Sequence, residues 1–351
     1  MIMGFAEQVK FMSQSNRQPL IDMLKVVAAQ FIFFHHAALY GPLSTAWHEA
    51  APAWADWLAD YGLMAVQVFL VVAGYLAAQT LSRRCELHPL LFISRRFERL
   101  ARPLWFVLFL TIGLTALARP WLLGDMLPSA PELGQFVAHI FLLQGALGYE
   151  SLSAGVWYTA VDFQLYVIMV WMVLVARKTQ QDWLWPVLVF FITLISAAWI
   201  NLHGEWDASG FYFFGAYGLG ALAYWARTTA WGGKLYLAGV LSVVVALWLD
   251  WRLRLAVGVA TSLILWAWME WQGGGKRISA LLARLNESTY LFFLLNFPVL
   301  IVVNLLWLVL GQVVEGCSVE FVSGTWLIAL VGADFLHHRF TWLSGSSTKK
   351  I

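Results

Sequence analysis

The sequence predicts an all-α membrane protein, a polytopic helical bundle with about ten transmembrane helices. The chain is 61% hydrophobic and only 12% charged, whereas charged residues make up about 25% of an average soluble domain. Apolar runs of ~18 residues or more, long enough to cross a bilayer, recur along nearly its full length. The sequence lacks the alternating segments of roughly ten residues that build a transmembrane β-barrel.

Ten apolar segments are predicted to span the membrane. They lie near residues 20–41, 62–81, 103–118, 157–176, 184–201, 209–226, 235–249, 254–271, 288–312 and 321–340. With a cytoplasmic N-terminus, all but three of the 22 Lys and Arg residues fall on the cytoplasmic side, the exceptions being Arg119, Arg252 and Arg254. This asymmetry follows the positive-inside rule. It predicts cytoplasmic termini, with an N-terminal segment 1–19, a membrane domain 20–340 and a tail 341–351.

The first span, within IDMLKVVAAQFIFFHH, carries ionisable side chains, which usually face a protein interior or a water-filled cavity. At 100° per residue, Asp22, Lys25 and His36 fall within about 60° of one another, and Lys25 and His36 are roughly 16 Å apart along the axis. His36 is the candidate catalytic base; the alternative is a histidine hydrogen-bonded to a neighbouring helix. His35, about 100° away, is the second catalytic candidate, for which a structural hydrogen bond is the favoured alternative.

Four arginines precede the third span, in the segment RRFERLAR at residues 95–102. Arg96, Arg99 and Arg102 recur at every third position and are predicted to share one face of a helix that continues into the span. A guanidinium group suits phosphate because its planar fork binds two oxygens at once. We therefore predict a phosphate-binding group here; the alternative is an ordinary cytoplasmic anchor.

An additional apolar segment, residues 136–148, is short and carries His139 and Gln144. It is predicted to lie at the membrane interface or to pack inside its loop. An eleventh full span would move every later basic loop to the outside, against the positive-inside rule.

The fourth span begins with WYTAVDFQLY, residues 157–166. Tyr158, Asp162 and Tyr166 are spaced four residues apart, so they share one helix face. Asp162 lies toward the outer end of its helix, as His36 does, and is expected to orient and stabilise that imidazole. The alternative is that Asp162 pairs with another buried polar group or lies at the membrane surface.

Several segments together resemble the integral-membrane acyltransferase-3 family, whose members move acyl groups onto glycans and other acceptors. In the family's first helix an Arg is followed eleven positions later by a His, and here Lys25 and His36 have that spacing. A Phe-rich segment ending in Ser-Gly-Phe corresponds to VFLVVAGYL, with Ala73 and Gly74. An Arg-x-x-Arg segment followed by Pro corresponds to RRFERLARPLW.

Two later segments extend the resemblance to about residues 17–340. The family's Trp-Ser-Leu-x-x-Glu-x-x-x-Tyr pattern corresponds to WYTAVDFQLY, and its Ser-Tyr-x-x-Phe-x-x-His-x-Pro pattern corresponds to STYLFFLLNFP. The chain departs from the family pattern at Lys25, Ala73, Asp162 and Asn296, where the family has Arg, Ser, Glu and His. These departures leave open which acceptor is used, and an inactive relative is also an option.

The resemblance implies a membrane-embedded acyltransferase of the bacterial inner membrane. It would move an acyl group, expected to be acetyl, from cytoplasmic acyl-CoA to a hydroxyl of an envelope glycan or lipid-linked saccharide. Acyl-CoA is then a substrate, and no permanently bound cofactor, metal or nucleic acid is predicted. The implied substrate-binding residues are Lys25, Arg96, Arg99, Arg102, Trp157, Tyr158, Gln164, Tyr166 and Asn296.

Acyl transfer from a thioester to a hydroxyl needs a base for the hydroxyl proton and stabilisation of the oxyanion. Histidine suits the first role because its ordinary pKa of about 6.5 lies near neutral pH. The competing class is a transporter or flippase in which His36 and Asp162 form a proton relay. A protein that only binds or has a structural role is the third alternative.

Overall fold

The computed structural model describes residues 18–83, 88–122, 126–311 and 316–345, with only the backbone described for 340–345. Most of the predicted N-terminal segment and the last residues of the predicted tail lie outside these ranges. The described part of the chain is helical and contains no β-strand. We number its α-helices α1 (Pro19–Leu39), α2 (Pro42–Ala50), α3 (Pro52–Tyr61), α4 (Val66–Ser82), α5 (Pro89–Ala118), α6 (Leu133–Ile140), α7 (Val156–Lys178), α8 (Leu184–Ala198), α9 (Gly210–Thr228), α10 (Gly232–Leu249), α11 (Leu253–Trp268), α12 (Lys276–Leu310) and α13 (Ser318–Gly345).

The predicted all-α polytopic membrane architecture is confirmed. Each of the ten predicted spans coincides with a helix, and within the described ranges eight helical segments are long and apolar enough to cross a membrane. The remaining two are α11, which is apolar but has 16 residues, and α9, which is long enough but richer in Gly and Tyr. The segment 136–148 forms no span, because α6 ends at Ile140 and turns follow it.

Helix α9 lies inside the bundle, packed against α4, α8, α10 and α11. Nearly all of its side chains are buried from Gly210 to Trp225. Its glycines permit close approach of backbones, as small residues do where membrane helices meet. A Cβ atom on Gly74 of α4 would overlap the carbonyl oxygen of Tyr217, and one on Gly220 would overlap that of Val71. The two helices therefore contact each other backbone to backbone.

Gly74→Ala is expected to destabilise the fold, because the added methyl group requires α4 and α9 to separate. Overpacking of this kind costs about 1–3 kcal/mol. Thermal unfolding of the purified protein in detergent measures the loss. Gly113→Ala is the matched control, since a Cβ atom on Gly113 meets no atom within 4 Å and alanine favours the helix. Equal melting temperatures for the two variants would contradict the close contact.

Helices α1 and α12 run side by side in the same direction. Near the start of α1, the Asn286 side-chain amide of α12 donates to Asp22 at 2.5 Å. Further along, Phe33 stacks on Phe292 with ring centroids 5.7 Å apart. At the end of α1, Asn304 donates to the carbonyl oxygen of Tyr40 at 3.2 Å. This alignment places the two helices in register along the whole of α1.

Candidate active site

A cavity of about 480 Å³ lies between α1, α4, α5, α7 and α12. The end on the side where α1 begins is lined by four cationic side chains, Lys25, Arg95, Arg96 and Arg99, which outnumber the acidic Asp162 and Glu287 of the same lining. The other end is lined by aromatic side chains, namely Phe69, Tyr158 and Phe293. Along α4 the lining runs from Phe69 to Thr80, which is roughly 16 Å at about 1.5 Å per residue. The cavity is therefore a long pocket, charged at one end and aromatic at the other.

Arg96 and Asp162 form an ion pair inside this cavity. The Arg96 guanidinium donates to a carboxylate oxygen of Asp162 at 2.5 Å, and the Asp162 side chain is only 4% exposed. The guanidinium also lies over the ring of Tyr166, 5.3 Å from its centroid. Two contacts thus hold Arg96 in place, and they join α5 to α7.

This ion pair corrects the predicted role of Asp162. The carboxylate was expected to orient His36, but it accepts from Arg96 instead. The cause is the geometry of the bundle, in which α5 packs against α7 and brings a permanent cation to the acid. The sequence-based alternative for Asp162, pairing with another buried polar group, describes the structure better.

Lys25 and Arg99 line the same cavity but form no ion pair with any carboxylate that the structure describes. They are therefore available to an anionic ligand in a way that Arg96 is not. The Asn286 and Tyr290 side chains face them from α12, and Tyr290 donates to the Leu100 carbonyl oxygen at 2.9 Å. These two α12 residues were missed by the sequence analysis, although Tyr290 lies within the STYLFFLLNFP segment.

Arg102 does not belong to this group, contrary to the prediction that it shares a face with Arg96 and Arg99. It is exposed, pairs with Glu98 at 2.5 Å and does not line the cavity. The reason is helix geometry, because each three-residue step falls about 60° short of a full turn, so Arg102 points about 120° away from Arg96.

The two histidines of α1 have different surroundings. The Nδ1 atom of His35 is hydrogen-bonded to the carbonyl oxygen of Leu58 at 3.1 Å, which is the structural contact expected for that residue. His36 is 4% exposed, and its Nδ1 atom has no hydrogen-bond partner among the described residues. Its ring lies 5.6 Å from that of His35 and 5.7 Å from that of Tyr40. Neither histidine is part of the cavity lining.

Asn296 is another buried polar residue, on α12. It is fully buried, and neither atom of its amide has a hydrogen-bond partner in the described part of the chain. The next residue, Phe297, packs edge-on against Tyr40 at 5.4 Å, and Tyr40 in turn contacts His36. His36 and Asn296 therefore flank one aromatic contact between α1 and α12. Buried polar atoms without partners are rare and point to a functional or solvated site.

The remaining predicted residues lie on different faces of α7. Tyr158 and Tyr166 line the cavity, whereas Trp157 lines a second cavity. Gln164 was predicted to bind substrate, but its side chain accepts from the Gly210 backbone N–H at 2.8 Å and donates to the Ala208 carbonyl oxygen at 3.3 Å. Both ends of its amide thus hold the start of α9, which is a structural role.

Comparison with known proteins gives one match that covers nearly the whole chain. A family described as an acyltransferase domain matches residues 19–333. The Regulator of hypoxia-inducible factor 1 from Caenorhabditis elegans is 22% identical over 169 residues, which are 44% of this chain and 34% of that protein. The match thus spans about one third of the relative's length. No solved structure matches the chain.

Proposed function

The chain belongs to the acyltransferase-3 family, and on that premise we propose that it is a membrane-embedded acyltransferase that uses acyl-CoA as donor. The acyl group proposed is acetyl, and the acceptor a hydroxyl of an envelope glycan or lipid-linked saccharide. The observation that supports this proposal is the long cavity with a cationic end and an aromatic end.

The cationic end suits the donor because coenzyme A carries phosphate groups. Lys25 and Arg99 line that end and have no ion-pair partner in the described part of the chain. Charge-assisted hydrogen bonds from these side chains to phosphate oxygens are about twice as strong as neutral ones. The whole cavity extends roughly 16 Å along α4, which is comparable with the reach of a pantetheine arm. The thioester would then lie near the aromatic end.

In the proposed reaction the acceptor hydroxyl oxygen attacks the thioester carbonyl carbon while His36 takes the hydroxyl proton. The carbon–sulfur bond then breaks, and the departing sulfur takes a proton to become the free thiol of coenzyme A. Hydrogen-bond donors of the protein near the thioester carbonyl would stabilise the negative charge that forms on its oxygen. Because His36 does not line the cavity, the proposal requires the side chains between His36 and the cavity to move when substrates bind.

The transporter alternative is not favoured by the geometry. It required His36 and Asp162 to form a proton relay, and Asp162 is instead held by Arg96.

We further propose that the cationic end of the cavity faces the cytoplasm of a bacterial cell, with both termini on that side of the inner membrane. The distribution of basic residues supports this orientation. We expect single cysteines placed in residues 272–287 to be protected from a membrane-impermeant thiol reagent in intact spheroplasts and to react after permeabilisation. The background is a variant without Cys85 and Cys317, and a cysteine at Glu205 is the reactive control. Labelling of cysteines in residues 272–287 in intact spheroplasts would contradict the proposed orientation and place these residues outside the cell.

Arg99→Ala is expected to raise the KM for acyl-CoA by on the order of tenfold, because it removes an unpaired guanidinium that would bind phosphate. Turnover at saturating donor should change little. Arg102→Ala is the matched control, because it removes the same charge one turn further along α5, outside the cavity. Steady-state rates of transfer from radiolabelled acetyl-CoA give the KM and the turnover of each variant. An equal effect of the two substitutions would mean that these arginines act through general surface charge, not through donor contacts.

A further inference from the structure

A second cavity, of about 420 Å³, lies between the starts of α4, α7, α9 and α11 and the loop that follows α6. Its walls carry several aromatic side chains, among them Trp157, Tyr149 and Tyr212. Polar groups of Gln67, Asp207 and Arg254 complete the lining. A mainly apolar and aromatic pocket with a few converging polar groups is the usual composition of a small-molecule site.

Arg254 is the distinctive group of this cavity. The proposed topology leaves only three arginines on the outer side, and two of them are engaged within the protein. Arg119 donates to the Pro128 carbonyl oxygen at 2.8 Å, and Arg252 is buried, paired with Asp250 at 3.2 Å. Among the described residues, Arg254 contacts the neutral side chain of Tyr212, lying over its ring at 4.9 Å and donating to its hydroxyl.

Arg254 forms no ion pair with a carboxylate in the described residues, including Asp207, which lines the same cavity at an exposed position. Arg254 itself is half-buried. A guanidinium fork in such a position favours a carboxylate or phosphate oxygen, which it can bind through two parallel hydrogen bonds.

Helix α7 forms the wall between the two cavities. Tyr158 and Asp162 line the first, whereas Trp157 and Val161 line the second. The rings of Trp157 and Tyr158 meet edge to face at 6.4 Å. The aromatic end of the first cavity is thus one layer of side chains away from the second cavity.

We propose that the second cavity binds an acidic saccharide. The apolar C–H face of the sugar ring would pack on the aromatic wall, and its carboxylate or phosphate would bind Arg254. That this saccharide is the acceptor of the transfer reaction rests on the proposed function. Its hydroxyl would then approach the thioester across the Trp157–Tyr158 layer. The binding itself does not depend on catalysis.

The test is direct binding of three probes, glucuronate, mannose phosphate and glucose, to the purified protein in nanodiscs without donor. Saturation-transfer NMR reports each affinity. We expect at least one anionic probe to bind more tightly than glucose, and Arg254→Gln to weaken it by on the order of tenfold. Arg119→Gln, which removes another outer arginine away from the cavity, should leave binding unchanged. The better of the two anionic probes identifies the carboxylate or the phosphate as the group recognised.

Equal binding of glucose and the anions, or equal binding by the wild-type protein and Arg254→Gln, would overturn the proposal. So would the absence of binding by all three probes. Donor binding is measured on the same samples with acetyl-CoA. If the protein binds acetyl-CoA but none of the saccharides, the second cavity is not a saccharide site and the proposed function stands. If it binds an anionic saccharide but does not use acetyl-CoA, the saccharide site stands and the proposed function fails.

Discussion

Removal of either partner of the Arg96–Asp162 ion pair is expected to destabilise the protein by about 3–5 kcal/mol. Arg96→Met leaves the carboxylate of Asp162, only 4% exposed, without its cation in the interior of a membrane protein. Asp162→Leu leaves the guanidinium on the Tyr166 ring without its counter-charge. The free energy of unfolding, measured by denaturant titration in detergent micelles, should fall in each single variant.

The double variant separates structure from function. Replacing both partners removes the unpaired charge, so stability should return to near the wild-type value. Use of acyl-CoA should not return, because both residues line the donor cavity and their replacement changes the polarity of its lining. Glu98→Gln, which breaks an exposed pair with Arg102, should cost less than about 1 kcal/mol. A double variant that is as unstable as the single ones would contradict the ion-pair argument, and one with full activity would limit the pair to a structural role.

The membrane helices could be predicted from the sequence because lipid imposes one simple rule, that a spanning helix must be long and apolar. The same rule gives the wrong position for a helix end that lies in water, beyond the edge of the bilayer. Helix α5 begins at Pro89 and α12 at Lys276, whereas the predicted spans begin at residues 103 and 288. Outside the bilayer a helix can carry charged residues, so hydropathy gives no signal for its start.

The site residues were predictable to the extent that one helix fixes their relative directions. Tyr158, Asp162 and Tyr166 share a face of α7 and all line the first cavity. The sequence could not assign the partner of Asp162, because partners between helices depend on how each helix is rotated and how deep it lies. Gln164, also predicted to bind substrate, does not line the first cavity. It is two residues from Asp162, about 200° around the helix, and so faces α9 instead of the cavity.

His36→Ala is expected to lower turnover by a factor of order 10² or more, with modest change in acyl-CoA binding, if His36 is the general base. His35→Ala should keep most of the activity. The hydrogen bonding of the two residues supports this difference. His35 Nδ1 is occupied by the Leu58 carbonyl oxygen, whereas His36 Nδ1 has no partner among the described residues. Transfer of labelled acetyl groups by purified protein in nanodiscs measures the effect.

Each variant of the two histidines tests a separate role. His35→Ala should lower the melting temperature, because it leaves the Leu58 carbonyl oxygen without its partner, and its size-exclusion profile checks that activity is compared between folded proteins. Full activity in His36→Ala together with loss in His35→Ala would exchange their assignments. Undiminished turnover in both single variants and in the double variant would exclude histidine base catalysis. The base would then have to be sought among the groups that line the first cavity, where Lys25 is the candidate without an ion-pair partner in the described part of the chain.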